Sequence, residues 1–138
     1  MKFISKENPI ADDIMELRLK LRSYNNQFTK PFERTSIMIQ IRDEDGELLG
    51  GVYGTISWEW LHIDLLWVDE RLRESGSGTK LIKQIEEQAR EKGVHRFRLS
   101  TTSFQALDFY KKMGYKICGE IEDLPPGYTN YFLIKTDI

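Results

Sequence analysis

The chain has 138 residues and 40% of them are hydrophobic, so one domain with a buried core is expected and disorder is not. The formal net charge of −2 argues against nucleic-acid binding, which needs an excess of clustered lysine and arginine. Cys118 is the one cysteine, so no internal disulfide can form and no metal cluster is expected. We therefore expect a single domain over residues 1–138, without a nucleic-acid partner or a bound metal.

The first residues carry no apolar run of the length that a signal peptide or a membrane span requires. Charged residues appear at once after Met1. We therefore expect a cytoplasmic protein without a membrane partner.

The first half of the sequence predicts one helix followed by three strands. Residues 2–7 are compatible with a short first strand, and Pro9 suits the start of a helix. Apolar residues recur in this helix every three or four positions, at Ile10, Ile14, Leu17, Leu21 and Tyr24. After a polar and aromatic loop, alternating isoleucines predict a strand over residues 35–42, and a strong turn signal at 43–47 makes it a hairpin with residues 48–58. The apolar run at residues 61–68 predicts a third strand that is covered on both faces.

The second half of the sequence predicts two helices that alternate with strands. The longer helix begins near Gly76 or Ser77 and ends at Gly93. Its apolar positions fall on one face and its charged positions on the others; the charged set is Lys83, Glu86, Glu87 and Arg90. A strand over residues 94–101 follows, and this order favours parallel pairing. Ser103 is a candidate cap for a short helix through Met113, and strands over residues 115–121 and 128–135 complete the sheet.

Glycines and hydroxyl residues lie between the third strand and the longer helix, in the segment Arg73-Glu74-Ser75-Gly76-Ser77-Gly78. A helix start leaves backbone N–H groups without acceptors and carries the positive end of the helix dipole. Glycines let an anion approach these groups, Arg73 adds positive charge, and Thr79 adds a further hydroxyl. The alternative is an ordinary Gly/Ser turn. The arginine, the hydroxyls and the position together favour a site for the pyrophosphate of a nucleotide-type cofactor.

Two other phosphate-binding motifs do not fit this segment. The dinucleotide fingerprint needs a third glycine three residues after Gly78, where Leu81 stands. The P-loop needs four residues between its first glycine and a Gly-Lys pair, which Gly78-Thr79-Lys80 does not supply. Neither a nicotinamide-binding fold nor an NTPase is therefore favoured.

Two segments resemble signatures of the GNAT family of N-acetyltransferases. The stretch from Val68 to Leu81 resembles the family's acetyl-CoA-binding motif, Arg/Gln-x-x-Gly-x-Gly/Ala, with a Val five residues before it and a Leu three after it. The stretch Ala106-Leu107-Asp108-Phe109-Tyr110-Lys111-Lys112-Met113-Gly114-Tyr115 resembles the second signature, Ala-x-x-Phe-Tyr-x-x-x-Gly-Phe/Tyr. Both motifs occur in the family's order and spacing, and the resemblance covers residues 48–135.

The resemblance implies both a fold and an activity. The implied fold is α/β (α+β): a mixed, mostly antiparallel central sheet with a splayed parallel pair, flanked by helices. The implied activity is direct transfer of an acetyl group to an amine of a small molecule or protein, with acetyl-CoA as the acyl-donor cosubstrate. A non-catalytic coenzyme A-binding or sensor module is the alternative. Because family members are frequently dimers, the resemblance is also compatible with a homodimer.

The resemblance also assigns residues to the cosubstrate. In the family, the loop before the helix binds pyrophosphate through its N–H groups, and the pantetheine arm pairs with the backbone of the preceding strand. The matching positions here are Leu66, Trp67, Val68, Arg73, Glu74, Ser75, Gly76, Ser77, Gly78, Thr79, Ser103 and Tyr110. Ser103 stands where many members carry an asparagine, so the amide contact of that residue is lost here.

Candidates for proton transfer come from the same match. Tyr110 matches the tyrosine that protonates the coenzyme sulfur, although it is also compatible with a core aromatic. His62 stands where many relatives carry a glutamate that acts as the general base, and Asp64 lies two residues further on. Either residue could serve as the base, directly or through water, or both could be structural. Glu59 is a third candidate. Direct transfer needs no protein nucleophile, so Cys118 is expected to be a buried, inert thiol.

The acceptor site is less defined by the sequence. An acidic residue such as Glu33 could attract an amine, and aromatic side chains could line the pocket. The aromatic candidates are Tyr24, Phe28, Phe32, Trp58, Trp60, Trp67 and Tyr128. An aromatic stripe is more often part of a core, so the sequence does not name an acceptor.

Overall fold

Three helices and one six-stranded sheet make up the chain, of which the computed structural model describes residues 1–30 and 34–137. The chain divides into two compact units, residues 1–32 and residues 33–138. In the described part of the chain, no helix is both long and apolar enough to cross a bilayer.

The first unit contains helix α1 (Ala11–Asn25), which confirms the helix predicted from the apolar period at residues 10–24. Asp12 and Asp13 lie in its first turn, where their negative charges interact favourably with the positive end of the helix dipole. The first strand expected at residues 2–7 is wrong, because residues 1–10 contain neither helix nor strand. A strand so short is stable only when a neighbouring strand pairs with its backbone groups.

The second unit holds the sheet and two helices. Its elements are β1 (Thr35–Arg42), β2 (Leu48–Ser57), β3 (Trp60–Val68), α2 (Ser77–Glu91), β4 (Arg96–Thr102), α3 (Leu107–Lys112), β5 (Lys116–Glu122) and β6 (Thr129–Thr136). The strand order is β1-β2-β3-β4-β6-β5, and every pairing is antiparallel except that of β3 with β4. The predicted mixed sheet with one parallel pair is therefore confirmed.

The parallel pair separates after a short contact. β3 and β4 pair at Leu61–Phe97, His62–Arg98 and Ile63–Leu99. Beyond Ile63 the two strands, which lie in the described part of the chain, continue without further pairing. Separated strands leave unpaired backbone groups that an extended ligand can use as a strand would.

A β-bulge coincides with this separation. In the pairing with β2, Tyr53 faces Leu65 and Gly54 faces Ile63, so Asp64 is an extra residue on β3. The extra residue shifts the alternation of side chains along β3. Ile63 is buried before the bulge, whereas Leu65 after it is 65% exposed. The expectation that β3 is covered on both faces is therefore wrong. The apolar run spans a bulge, and its residues before and after the bulge contribute to one and the same buried face of the sheet.

Helix α2 packs on one face of the sheet. Its buried apolar residues are Leu81, Ile82, Ile85 and Ala89, as the periodicity predicts. Gly54 allows this close packing, because a Cβ atom there would lie 2.9 Å from the His62 carbonyl oxygen and 3.1 Å from Ile85 Cδ1. Glu86, which the sequence placed with the charged faces, is also buried, with 1% of its surface exposed.

Two further expectations about the C-terminal half are wrong. Helix α3 begins after Ala106 and has no side-chain cap, so Ser103 does not cap it. Cys118 is exposed rather than buried. It is the unpaired extra residue between Ile117 and Gly119 in β5, and β5 is an edge strand, so neither a partner strand nor a covering layer buries the thiol.

Candidate active site

The loop before α2 presents backbone donors at a helix start. A short 3-10 turn (Glu70–Leu72) leads into it, and Arg71 fixes this turn by hydrogen bonds to Asp69 Oδ1 (2.9 Å) and Glu47 Oε1 (2.9 Å). The hydrogen bonds from Arg71 lower the pKa of Asp69 to about 2. The turn is therefore held in place by charged contacts at neutral pH.

Gly76 makes the entry into the helix. It has a φ of 84°, in the left-handed region that glycine adopts most easily. The first bond of the helix runs from Lys80 N–H to the Gly76 carbonyl oxygen at 3.1 Å. The amides of the preceding turn therefore have no acceptor within the helix and are available to an anion. Ser75 Oγ bonds the Leu72 carbonyl oxygen and lies 2.7 Å from Ser77 Oγ, so these hydroxyls also brace the loop.

A cavity of about 700 Å³ opens beside this loop, and we call it the donor cavity. It has three walls: the end of β3, the loop with the first turn of α2, and the segment entering α3. The lining residues are Leu66, Trp67, Val68, Leu72, Arg73, Glu74, Gly76, Ser77, Gly78, Thr79, Phe104, Gln105, Ala106 and Phe109. Its size and its helix-start donors fit a nucleotide-type cosubstrate such as acetyl-CoA.

A second cavity of about 390 Å³ shares Leu66, Gln105 and Ala106 with the donor cavity, and we call it the transfer cavity. It lies where β3 and β4 separate, and Asp64 and Tyr110 both line it. Burial raises the pKa of Tyr110 to about 12. The phenol therefore keeps its proton at neutral pH, as a proton donor must.

His62 and Asp64 form a pair at the edge of the transfer cavity. His62 Nδ1 lies 3.1 Å from Asp64 Oδ1, and the Thr55 hydroxyl donates to Asp64 Oδ2 at 3.3 Å. Burial and the nearby Arg98 guanidinium lower the pKa of His62, while Asp64 acts in the opposite direction. A neutral imidazole at physiological pH is a proton acceptor. His62 itself does not line either cavity and reaches the transfer cavity through Asp64.

Several predicted residues lie elsewhere. Ser103 lines neither cavity. Its N–H donates to the Thr129 carbonyl oxygen at 2.9 Å, and its Oγ accepts from the Thr129 N–H at 3.3 Å, so Ser103 ties the segment before α3 to β6. Glu59 sits in the turn between β2 and β3, 83% exposed and 3.7 Å from Arg96. Phe32 and Glu33 lie outside the described residues.

The aromatic candidates divide in the same way. Trp67 lines the donor cavity, and Tyr128 packs against Phe104 of its wall with ring centroids 4.7 Å apart. Trp58 and Trp60 flank a separate small cavity at the opposite end of β3. Tyr24 and Phe28 contact each other within the first unit.

The sequence missed residues that the sheet brings to the transfer cavity. Thr102 and Asn130 face each other across β4 and β6, and both line the cavity with Ser100 and Thr101. The β4 residues lie at the carboxyl end of their strand, whereas Asn130 lies at the start of β6. Both positions point to a site only once the strand order is known.

Free backbone amides at a helix start, beside a cavity where two parallel strands separate, suit an enzyme that transfers a group from a nucleotide-type donor. The model of the Acetyltransferase (GNAT) family matches residues 6–115, and the chain belongs to this family.

Three relatives show the extent of the similarity. The chain is 46% identical to the blasticidin-S acetyltransferase of Streptomyces morookaense over 93 residues, which are 67% of this chain and 68% of that relative. An acetyltransferase crystal structure from Bacillus cereus is 36% identical with a TM-score of 0.85, over 97% of this chain and 98% of the other. The crystal structure of nourseothricin acetyltransferase is 25% identical with a TM-score of 0.66, over 73% and 65% of the two chains.

Membership of the family gives the reaction class. The chain is an acetyl-CoA-dependent N-acetyltransferase, with acetyl-CoA as its acyl donor. The relatives give no support to a non-catalytic coenzyme A-binding module.

Proposed function

We propose that residues 1–138 form a single acetyltransferase domain that acetylates a primary amine of a small cationic molecule. The observation that carries this proposal is that the donor cavity adjoins the transfer cavity, which Asp64 and Tyr110 both line. Two relatives named for small-molecule substrates, blasticidin S and nourseothricin, support a small acceptor. The Asp64 carboxylate favours an acceptor that is positively charged before it reacts.

The donor is held by backbone groups in this proposal. The amides from Gly76 to Thr79 bind the pyrophosphate, Arg73 neutralises part of its charge, and the free backbone of Leu66 to Val68 pairs with the pantetheine arm. The bound donor supplies a thioester whose carbonyl carbon accepts a nucleophile. The separation of β3 and β4 orients this carbonyl toward the transfer cavity.

Three side chains take part in proton transfer or support it: Asp64, His62 and Tyr110. Asp64 contacts the ammonium group of the acceptor and holds His62 in one orientation. His62 takes a proton from the ammonium group, directly or through a water, which frees the nitrogen lone pair. The nitrogen then bonds to the carbonyl carbon, the carbon–sulfur bond breaks, and Tyr110 gives its proton to the leaving sulfur. The nitrogen loses its second proton, which restores the Tyr110 hydroxyl, and His62 releases its proton to solvent, so that the products are the neutral amide, the free thiol and one proton.

A thiol-release assay with acetyl-CoA tests the proposed function. The acceptor panel contains blasticidin S, a polyamine, an aminoglycoside and a peptide with a free amino terminus, and mass spectrometry identifies the product. We expect one acetyl group on a small cationic amine and none on the peptide. Acetylation of the peptide alone would overturn the proposed acceptor class.

Two variants separate the roles of the pair. His62→Gln should lower kcat. It should also remove the fall of kcat at acidic pH, the acid limb of the pH profile, because the base that titrates there is gone. Asp64→Asn should raise the KM for the amine and keep that limb. Glu59→Gln is the control, since Glu59 is exposed in a turn, and it should match the wild type. An unchanged acid limb in His62→Gln would exclude His62 as the base.

We also propose a cytoplasmic location, where acetyl-CoA is available, and a homodimer of the kind common in the family. Cell fractionation and sedimentation velocity would contradict these two points by showing a different compartment or a monomer.

A further inference from the structure

Gln105 lies where the donor cavity meets the transfer cavity. Among the described residues, three line both cavities, namely Leu66, Gln105 and Ala106. Of these three, Gln105 alone has a polar side chain. The reactive end of the acyl donor has to lie at this junction, because the donor binds in one cavity and meets the amine and Tyr110 in the other. A polar side chain at this position is therefore placed to contact the thioester.

The side-chain amide of Gln105 is held in one orientation. Its Oε1 accepts a hydrogen bond from the Thr102 backbone N–H at 2.9 Å and another from the Thr101 hydroxyl at 3.2 Å. The Thr101 hydroxyl, on a residue that is 3% exposed, accepts in turn from the Ala106 N–H at 3.4 Å. A backbone N–H only donates, so the amide atom that faces it is the oxygen and not the nitrogen. The end of β4 therefore fixes this amide in advance of ligand binding.

The same contacts leave the Nε2 group of Gln105 available as a donor. Within the described part of the chain, no group accepts a hydrogen bond from Nε2, whereas Oε1 has two donors. An amide nitrogen donates and does not accept, so its ligand must present an acceptor. The protonated acceptor amine also only donates, and a thioether-type sulfur accepts weakly. The carbonyl oxygen of the thioester is the matching group at this junction.

We infer that Gln105 Nε2 donates a hydrogen bond to the thioester carbonyl oxygen and stabilises the negative charge that develops there. When the amine nitrogen bonds to the carbonyl carbon, one electron pair of the C=O bond moves to the oxygen, and it returns when the carbon–sulfur bond breaks. Gln105 gives up no proton, so the proton balance of the reaction is unchanged. A donor held in advance lowers the barrier because it does not reorient as the charge forms. The inference rests on the donor binding of the proposed function.

Two variants separate the Nε2 donor from the contacts that hold the segment before α3. Gln105→Glu keeps an oxygen for the Thr102 N–H and the Thr101 hydroxyl but replaces Nε2 by a second carboxylate oxygen. Gln105→Leu removes both functions. Gln88→Glu is the matched control, because Gln88 is exposed on α2, lines neither cavity and receives the same charge.

The first measurement is spectroscopic and needs no acceptor amine. Infrared difference spectra of bound acetyl-CoA, with and without carbon-13 at the acetyl carbonyl, isolate the C=O stretching band. A hydrogen bond to the oxygen weakens the C=O bond and lowers the frequency of this band. We expect the band at a lower frequency in the wild type and in Gln88→Glu than in Gln105→Glu and Gln105→Leu.

Affinity and turnover complete the test. Free coenzyme A lacks the thioester, so its Kd by isothermal titration calorimetry should be the same in the wild type and Gln105→Leu. The Kd of acetyl-CoA should rise about two- to tenfold in Gln105→Leu, as the loss of one neutral hydrogen bond allows. With an acceptor identified in the thiol-release assay, kcat should fall about 10²–10³-fold in both Gln105 variants and stay unchanged in Gln88→Glu.

The failures of the inference and of the proposed function are distinguishable. An unchanged C=O band in both Gln105 variants would overturn the inference, and so would an unchanged kcat. Equal weakening of coenzyme A and acetyl-CoA in Gln105→Leu would also overturn it, because the amide would then contact the pantetheine arm and not the thioester. No binding of either ligand to the wild type would contradict the donor site itself, and with it the inference.

Discussion

Glu86 is the buried charge on which the stability of the sheet–helix packing should depend most. Its carboxylate accepts a hydrogen bond from the Tyr115 hydroxyl at 2.7 Å and two from Lys135 at 3.0 and 3.1 Å. Glu86 and Tyr115 are 1% and 2% exposed. Glu86→Ala therefore leaves a buried hydroxyl and a largely buried ammonium group without an acceptor.

Breaking such a buried pair costs about 3–5 kcal/mol. Domains are stable by about 5–15 kcal/mol, so this loss is a large part of the total. The melting temperature should fall by roughly 10–15 °C for a chain of this size. Urea unfolding followed by tryptophan fluorescence at pH 7 measures the change.

Glu87→Ala is the control for this experiment. Glu87 is the next residue of α2, its side chain is 62% exposed, and it forms an ion pair with Arg90 at 3.5 Å. The expected cost is about 0–1 kcal/mol. Similar losses of stability in the two variants would refute the reasoning. Replacing the whole cluster (Glu86→Leu, Tyr115→Phe, Lys135→Met) should recover most of the loss, because no uncompensated charge then remains.

Three further predictions concern the reaction and the packing. Tyr110→Phe should lower kcat by about 10²–10⁴-fold while sparing the Kd of acetyl-CoA, and equal turnover in both proteins would exclude the acid role. Because the pKa of Tyr110 is raised to about 12, the wild-type rate should not fall at alkaline pH through loss of this proton until the pH approaches that value. Arg98→Gln removes a cation that disfavours the imidazolium form of His62, so the pKa of His62 and the acid limb of the rate profile should move to higher pH, and movement to lower pH would contradict this. Gly54→Ala places a Cβ 2.9 Å from a backbone oxygen and should cost about 1–3 kcal/mol by urea unfolding, whereas Gly119→Ala, with open space around it, should not.

Much of the fold was predictable because the strands and helices of the second unit carry local signals. Alternating isoleucines, a Gly-rich loop and the 3.6-residue period of α2 define elements whose observed ends differ from the predicted ones by two residues or fewer. Helix α3 is the exception, because it begins at Leu107 and not directly after Ser103. The loop at the start of α2 was predictable for the same reason, since its glycines and backbone N–H groups are consecutive in sequence.

Features that depend on distant partners were not predictable. Glu86 lies four residues after Ile82 and three before Ala89, at the border of the buried face, and only its charge placed it with the solvent residues. Tyr115 and Lys135, 29 and 49 residues away, make its burial favourable. Asn130 lines the transfer cavity because β6 pairs with β4, and no local pattern marks it. Cys118 is exposed because a bulge and an edge position coincide, and both are properties of the sheet.

The bulge at Asp64 links the fold to the chemistry. Without it, the alternation that buries Ile63 would turn Leu65 toward α2 and place Leu66 on the other face. The extra residue instead returns Leu66 to the core side, where it lines both cavities, and leaves Asp64 beside His62. Pairing with β4 ends at Ile63, immediately before the bulge. One local irregularity therefore coincides with the free strand edge at which we propose that the donor pairs, keeps the core intact and places a carboxylate where we propose that the acceptor amine arrives.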